Sequence, residues 1–168
     1  GAVYRKMGKF DKALRSYKEA IKINPKNSNY FHDMGFTYEQ AGRIKEAEEN
    51  YKQAIVLDSK HIMSRHNLAL IYRGKGQIKE ALTTAKKVLK FETRHPDINH
   101  SIGIMSLLLS HLKEGWINYE YRWKVSPGDK VTWPFQDTPI WKGEKGKHVA
   151  LWKEQGIGDQ ILCLSLVP

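Results

Sequence analysis

The sequence predicts an all-α protein, built from antiparallel helix pairs that stack side by side into a right-handed superhelix. Two observations predict this fold class. Similar residues recur every 34 positions over the first three quarters of the chain, a period typical of helical repeat proteins. Within one period, Ala13, Tyr17, Ala20 and Ile21 follow the spacing of a single helix face. Each period is therefore predicted to form two helices of an α-solenoid.

The repeat consists of columns of similar residues that lie 34 positions apart. Small residues, tyrosines and glycines each form such columns: Gly1, Gly35, Ala69 and Gly103; Tyr4, Tyr38 and Tyr72; Gly8, Gly42 and Gly76; Ala13, Ala47 and Ala81; Tyr17 and Tyr51; Ala20 and Ala54. Small residues let two helices approach closely, while tyrosines fill the space beside them. Glycines 42 and 76 are expected to end the first helix of their periods in left-handed backbone.

These columns, with Pro25 and Pro96 at borders between periods, resemble the tetratricopeptide repeat. The resemblance covers residues 1 to about 125 and implies about three and a half repeats, with borders near 27/28, 61/62 and 95/96. Gly1 aligns with Gly35, which lies seven residues into its period, so we expect the first repeat to continue upstream.

Several positions depart from the family pattern. Ser59 stands where proline is usual, which predicts a less rigid corner. Ala85 replaces an aromatic residue and Val88 replaces alanine, an exchange expected to preserve local volume. The fourth period is the weakest, because Ser106, Ser110 and Gly115 replace the tyrosine, glycine and alanine.

The resemblance implies a protein-interaction module. In this family the first helices of successive periods line a concave groove that holds an extended peptide or protein segment. The groove residues implied here combine hydrogen-bonding groups, apolar side chains and modest positive charge: Arg5, His32, Phe36, His66, Asn67, Leu70, Arg73, His100 and Ile104.

Three of these residues form a histidine ladder, His32, His66 and His100, with a spacing of 34 positions. Metal binding is disfavoured, because equivalent residues of neighbouring periods should lie about 10 Å apart. The ligands of one zinc ion must all lie about 2 Å from it. The remaining alternatives are a groove-lining row of hydrogen-bonding groups and a trace of repeat ancestry without function. No cofactor or metal is predicted.

One subset of the family grips the C-terminal carboxylate of its partner with lysine, arginine and asparagine at fixed groove positions. The corresponding residues here are His32, Phe36, Asn67, Asp97 and Ser101, so four of the five lack the required type. Such a clamp is not expected. Asn67 resembles one rung of the asparagine ladder in sugar-transferring relatives, but Asp33 and Ser101 break that series.

The net charge of +10 arises before residue 126 and favours an acidic protein partner. Nucleic-acid binding is disfavoured, because most lysines of the first 26 residues fall on a second helix and no zinc-finger spacing or basic-region heptad is present. No apolar stretch is long enough for a membrane span, and no signal peptide opens the sequence. The single cysteine excludes an internal disulfide, so a cytoplasmic location is expected.

The end of the sequence differs in composition. Residues 126–147 are predicted to form a linker rich in tryptophan and proline, and residues 148–168 the first strand, loop and helix of a truncated α/β domain. Residues 119–168 resemble bacterial proteins in which tetratricopeptide repeats precede a heptosyltransferase-like glycosyltransferase domain. The motif Glu154-Gln-Gly-Ile-Gly-Asp-Gln-Ile161 carries most of this resemblance. The alternative function is therefore the recruiting arm of such an enzyme.

By this resemblance Gly156, Gly158 and Asp159 form the remnant of a substrate loop. Asp159 would act either as the catalytic base of the longer protein or as the cap of the helix that follows it. No transferase activity is expected of the chain itself, because the sugar-nucleotide half would need about 200 further residues. The predicted strand has no sheet partner in the chain, so three alternatives stay open for this segment: it is disordered, it lies against the last repeat, or it pairs with a second copy.

Overall fold

The computed structural model describes residues 1–124, apart from the side chain of Trp123. These residues belong to a compact unit that spans residues 1–125. The predicted linker (126–147) and the predicted strand, loop and helix (148–168), with Gly156, Gly158 and Asp159, lie outside the described residues.

Residues 1–124 form helices joined by short turns. The α-helices are α1 (Ala2–Lys6), α2 (Phe10–Ile23), α3 (Ser28–Gln40), α4 (Ile44–Leu57), α5 (Ile62–Gly74), α6 (Ile78–Lys86), α7 (Pro96–Leu108) and α8 (Leu112–Tyr119). Short 3₁₀ helices, Lys87–Lys90 and Glu120–Lys124, follow α6 and α8. No strand occurs within residues 1–124. The predicted all-α solenoid is confirmed, because each helix packs against the helices before and after it in the chain.

Glycine ends the first helix of each of the first three periods, as the sequence predicts. Gly42 has a φ of 75°, and its N–H donates to the carbonyl of Glu39 at 3.0 Å. The N–H of Arg43 donates to the carbonyl of Tyr38 at 2.8 Å. This pair of bonds is the Schellman motif, which satisfies carbonyls at a helix end. Gly8 and Gly76, with φ values of 70° and 76°, repeat the same turn.

In the first two periods, a glycine of the first helix lies against a tyrosine ring of the second helix, which lets the two helices approach closely. The ring of Tyr51 on α4 lies against Gly35 on α3, where an added Cβ would stand 2.8 Å from the ring. Tyr51 and Ala47 are fully buried there. Gly1 faces the ring of Tyr17 on α2 in the same way.

The third and fourth periods fold as helix pairs despite their departures from the pattern. Helix α6 gives way to a 3₁₀ turn after Lys86, and Val88 in that turn is fully buried beside Ala85 in a second core cluster. Ser110 stands at the glycine position of the fourth turn and keeps its left-handed backbone, with a φ of 59°. The turn therefore forms without glycine, at a cost in backbone strain.

Candidate peptide-binding groove

The first helices of consecutive periods, α1, α3, α5 and α7, are connected to one another by side chains. Nδ1 of His32 on α3 lies 3.1 Å from Oγ of Ser64 on α5. Nε2 of His66 on α5 lies 3.0 Å from Oγ of Ser101 on α7. We call the surface formed by these four helices the groove face.

Three apolar side chains stand at equivalent positions on the groove face. Phe36 on α3, Leu70 on α5 and Ile104 on α7 are each partly buried, so each keeps part of its side chain exposed. We call these three residues the apolar row. A row of evenly spaced, partly exposed apolar groups suits the alternate side chains of an extended peptide.

Arg5 extends the groove face at its amino-terminal end. Its guanidinium carbon lies 4.7 Å from the centroid of the Phe36 ring, a cation–π arrangement. Its Nη1 donates a long hydrogen bond of 3.5 Å to Oε1 of Gln40. The first member of the apolar row is therefore covered by a positive charge.

Arg73 supplies a second cation on the groove face. It follows Leu70 by three residues on α5 and is partly buried. Within residues 1–124 its side chain makes no ion pair and no hydrogen bond. This guanidinium is therefore available to an acidic group of a partner.

His32 packs inside the array instead of standing free on the groove face. Its ring centroid lies 5.0 Å from that of His61 and 5.6 Å from that of Tyr51. Burial, followed by the nearby His61 and Arg5, lowers the pKa of His32 from its ordinary value to about 4. The ring is neutral at pH 7 and acts as a hydrogen-bonding link to Ser64.

The structure corrects the placement of His66, which the resemblance assigned to the groove. Its side chain is 8% exposed and is buried between α5 and α7, where it bonds Ser101. Burial lowers its pKa. His66 therefore holds two periods together.

Asn67 is also engaged within the array. Its Nδ2 donates to the hydroxyl of Tyr51 at 3.1 Å, and this hydroxyl donates to Oε2 of Glu39 at 2.7 Å. Burial, followed by the hydrogen bond to Glu39 and then by the charge of Glu39, strongly raises the pKa of Tyr51. These two hydrogen bonds join Glu39, Tyr51 and Asn67 in series, and they link α3, α4 and α5.

The predicted groove residues thus fall into two groups. Arg5, Arg73 and the apolar row lie on the first helices and are partly exposed, whereas His32, His66 and Asn67 bond to neighbouring periods. His100 is partly buried, and its ring lies 5.3 Å from that of Tyr119. The role of Ser64 was not predicted from the sequence, because Ser64 lies 32 residues from His32 and so falls outside the columns of period 34.

Three family models match the chain. A model described as "TPR repeat" matches residues 1–42, and two described as "Tetratricopeptide repeat" match residues 28–61 and 61–97. The chain belongs to the tetratricopeptide repeat family. Its first helices carry the groove face and its second helices carry the tyrosines that pack against glycine.

Solved structures with this tetratricopeptide repeat fold are similar to the chain. MamA has 24% identity and a TM-score of 0.64, over 75% of this chain and 74% of MamA. The first TPR domain of Spaghetti (RPAP3), solved with the HSP90 peptide SRMEEVD, has 20% identity and a TM-score of 0.61 over 66% and 89%. YrrB, described as having an unusual peptide-binding site, has 17% identity and a TM-score of 0.62 over 77% and 66%. No curated protein matches the chain.

The tetratricopeptide repeat matches end at residue 97, so they do not support the heptosyltransferase-like resemblance of residues 119–168. Among residues 1–124, no group of three or more His, Cys, Asp or Glu side chains could hold a metal ion. None of the helices in the same range combines the length and the apolar character that crossing a membrane requires.

Proposed function

We propose that this tetratricopeptide repeat chain is a protein-interaction module whose groove face binds an extended peptide or an extended segment of a protein. The observation that carries the proposal is the apolar row of Phe36, Leu70 and Ile104. One member stands on each of three successive first helices, and each keeps part of its side chain exposed. Binding, and not catalysis, is the function that this surface suits.

Two of the similar structures support the proposal by their descriptions. The RPAP3 domain is bound to a peptide of HSP90, and YrrB is described by its peptide-binding site. Both share the fold of this chain at low sequence identity, so the peptide and its mode of binding belong to those proteins.

A carboxylate clamp of the chaperone type is not part of the proposal. Of the five clamp positions, His32, Asn67 and Ser101 are already used in hydrogen bonds between helices of the array. The partner is instead expected to place apolar side chains on the apolar row. An acidic side chain of the partner would pair with Arg73, in keeping with the net charge of +10.

The proposal can be tested by selecting random peptides of about twelve residues, displayed on phage, against the full chain. Selected peptides are then synthesised and their affinities measured by fluorescence polarisation. Leu70→Asp should weaken binding by about tenfold or more, because a charge would replace the central member of the apolar row. Arg73→Gln should weaken binding of peptides that contain Asp or Glu and should reduce the salt dependence of that binding.

The matched control is Val56→Asp. Val56 is 76% exposed on the second helix α4, so the same charge is introduced away from the groove face. Its affinity for the selected peptides should equal that of the wild type, and circular dichroism should show both variants folded. Equal binding by wild type and Leu70→Asp would contradict the proposal.

The alternative function rests on the sequence of residues 119–168. We propose it as the role of a longer protein, in which the repeat array recruits the acceptor of a glycosyltransferase. Sugar transfer by that protein should then be lost on Asp159→Asn. Retention of full activity by this variant would remove Asp159 as the base.

Self-association and cytoplasmic location stay predictions from the sequence. The apolar run that motivates pairing between copies, residues 149–152, lies outside the described residues. Light scattering across a concentration series tests the first prediction. A mass that stays monomeric at every concentration would contradict it.

A further inference from the structure

The contact between the third and fourth periods is an apolar junction. Leu82 on α6 and Met105 on α7 belong to one buried hydrophobic cluster, and Ile78 and Leu109 are partly buried against it. Leu82 is 5% exposed and Met105 is fully buried. A second helix therefore presents two apolar residues, four positions apart, and the first helix of the next period covers them.

The last second helix carries the same two positions without a cover. Leu112 and Trp116 on α8 stand 34 residues after Ile78 and Leu82. Leu112 is 60% exposed and Trp116 is 42% exposed, because no further first helix follows α8 within residues 1–124. We call these two residues the carboxyl-terminal pair.

The first helix of the chain carries the complementary positions, also without a cover. Val3 on α1 and Met7, the residue that follows α1, stand three periods before Met105 and Leu109. Val3 is 70% exposed, and Met7 is exposed as well. We call these two residues the amino-terminal pair.

The junction between the second and third periods shows that these positions meet. Its residues equivalent to Trp116 and Met7 are Glu48 on α4 and Lys75 after α5, and their side chains form an ion pair. Inside the array, the two positions are therefore in contact across a junction. At the two ends of the described residues, both positions carry apolar side chains that are exposed to water.

We propose that copies of this chain stack end to end, with the amino-terminal pair of one copy packed on the carboxyl-terminal pair of another. The contact repeats the junction that joins consecutive periods within one chain, and it removes four exposed apolar side chains from water. This inference goes beyond peptide binding, because it uses the ends of the array and leaves the groove face open.

The geometry of this contact predicts how the assembly grows. It joins two different surfaces, so a pair of copies keeps one uncovered pair at each end and can add further copies. The average mass should therefore exceed that of a dimer as concentration rises. A contact of this small size is weak, so the mass is followed up to about 1 mM. Added salt should strengthen association, because it screens the repulsion between copies of net charge +10.

The first arm of the test removes one pair at a time in the full chain. Leu112→Asp and Val3→Asp each place a carboxylate in the first turn of a helix, where a negative charge is tolerated. Each variant alone should stay monomeric, with an association constant lowered by about tenfold or more. Val56→Asp, exposed on α4, is the matched control and should associate as the wild type does.

The second arm mixes the two variants in equal amounts. Leu112→Asp keeps the amino-terminal pair, and Val3→Asp keeps the carboxyl-terminal pair. The mixture should therefore form heterodimers that grow no further, because both remaining ends carry the added charge. Sedimentation velocity measures the sizes. A mixture that stays monomeric would overturn the stacking of unlike ends.

The third arm changes the size and polarity of the central aromatic side chain. Trp116→Leu installs the residue that Leu82 supplies at the inner junction, so this variant should still associate. Trp116→Lys should lose association, and circular dichroism should show both variants folded. Equal association by these two variants would contradict an apolar contact at Trp116.

The remaining outcomes separate this inference from the other proposals. A wild-type mass that stays monomeric up to about 1 mM would overturn it. Association that persists in both single variants would also overturn it and would assign self-association to another surface, such as residues 149–152. Peptides selected on the wild type should bind Leu112→Asp equally well, so failure of end-to-end stacking leaves the groove proposal intact.

Discussion

The ring of Tyr51 lies so close to Gly35 that a Cβ atom on residue 35 would stand 2.8 Å from ring carbons Cδ1 and Cε1. The same relationship joins Tyr17 to Gly1. In the third period the equivalent pair is Ala69 with Ala85, both fully buried. The small-residue column thus admits alanine where the opposing helix carries no tyrosine, because the space that the ring would occupy is then open to a methyl group.

Gly35→Ala should lower the free energy of unfolding by about 1–3 kcal/mol, because the buried Tyr51 ring must move to make room. Urea denaturation followed by circular dichroism measures the change.

Gly74→Ala is the matched control for this substitution. Gly74 is also in a first helix, as the last residue of α5, but an added Cβ there meets no atom within 4 Å. The free energy of unfolding should stay the same or rise by up to about 1 kcal/mol, because alanine has the higher helix propensity. A loss equal to that of Gly35→Ala would mean that crowding against Tyr51 is not the cause.

Ser110→Gly should raise the free energy of unfolding by about 1 kcal/mol. Ser110 holds a φ of 59°, a region that glycine occupies without steric cost. The reciprocal change Gly42→Ser should lower it by a similar amount, because Gly42 has a φ of 75° in the equivalent turn. The melting temperatures of the two variants should shift in opposite directions. A shift of both in the same direction would contradict the claim that strain of the left-handed backbone sets the cost.

Lowering the pH from 7 to 5 should destabilise the fold through His32. Its pKa is about 4 in the folded chain against about 6.5 when unfolded, so the unfolded state binds more protons in between. The contribution of the neutral His32 ring to the free energy of unfolding is complete above pH 6.5 and is lost as the pH falls toward 4. At pH 5 about 2 kcal/mol of it is lost. Urea midpoints at several pH values measure the loss.

His32→Gln keeps a polar side chain near Ser64 but does not titrate, so its stability should depend less on pH than that of the wild type. The exposed His111 provides the control, and His111→Gln should leave the pH dependence unchanged. Identical pH profiles for wild type and His32→Gln would show that another group is responsible.

The contact between His66 and Ser101 should be measurable as a coupling free energy. Ser101→Ala leaves the buried His66 ring without its partner and should cost about 1–3 kcal/mol. In a double-mutant cycle with His66→Ala, the two losses should be less than additive by about 1 kcal/mol. Strict additivity would mean that this bond does not stabilise the junction of α5 and α7.

Much of the fold was predictable because its determinants are local or periodic. Gly42 and Gly76 marked helix ends, since a left-handed residue is needed for the capping bonds. Tyr51 and Ala47 marked the core by their spacing. The family resemblance also directed attention to Phe36, Leu70 and Ile104, which are partly exposed, and their role in binding stays a prediction. The fourth period, which forms α7 and α8, was harder to predict, because it keeps few of the marker residues.

The sequence by itself determined the repeating helix pair, because a 34-residue spacing of small and aromatic side chains can be buried only by stacking equivalent units. Only the tertiary structure decided which polar side chains of the groove are already engaged. His66 bonds Ser101, 35 residues away, and His32 bonds Ser64, 32 residues away, so neither bond follows the period. The reason is physical: a hydrogen bond depends on which atoms of adjacent helices meet within about 3 Å, and the repeat pattern does not encode that.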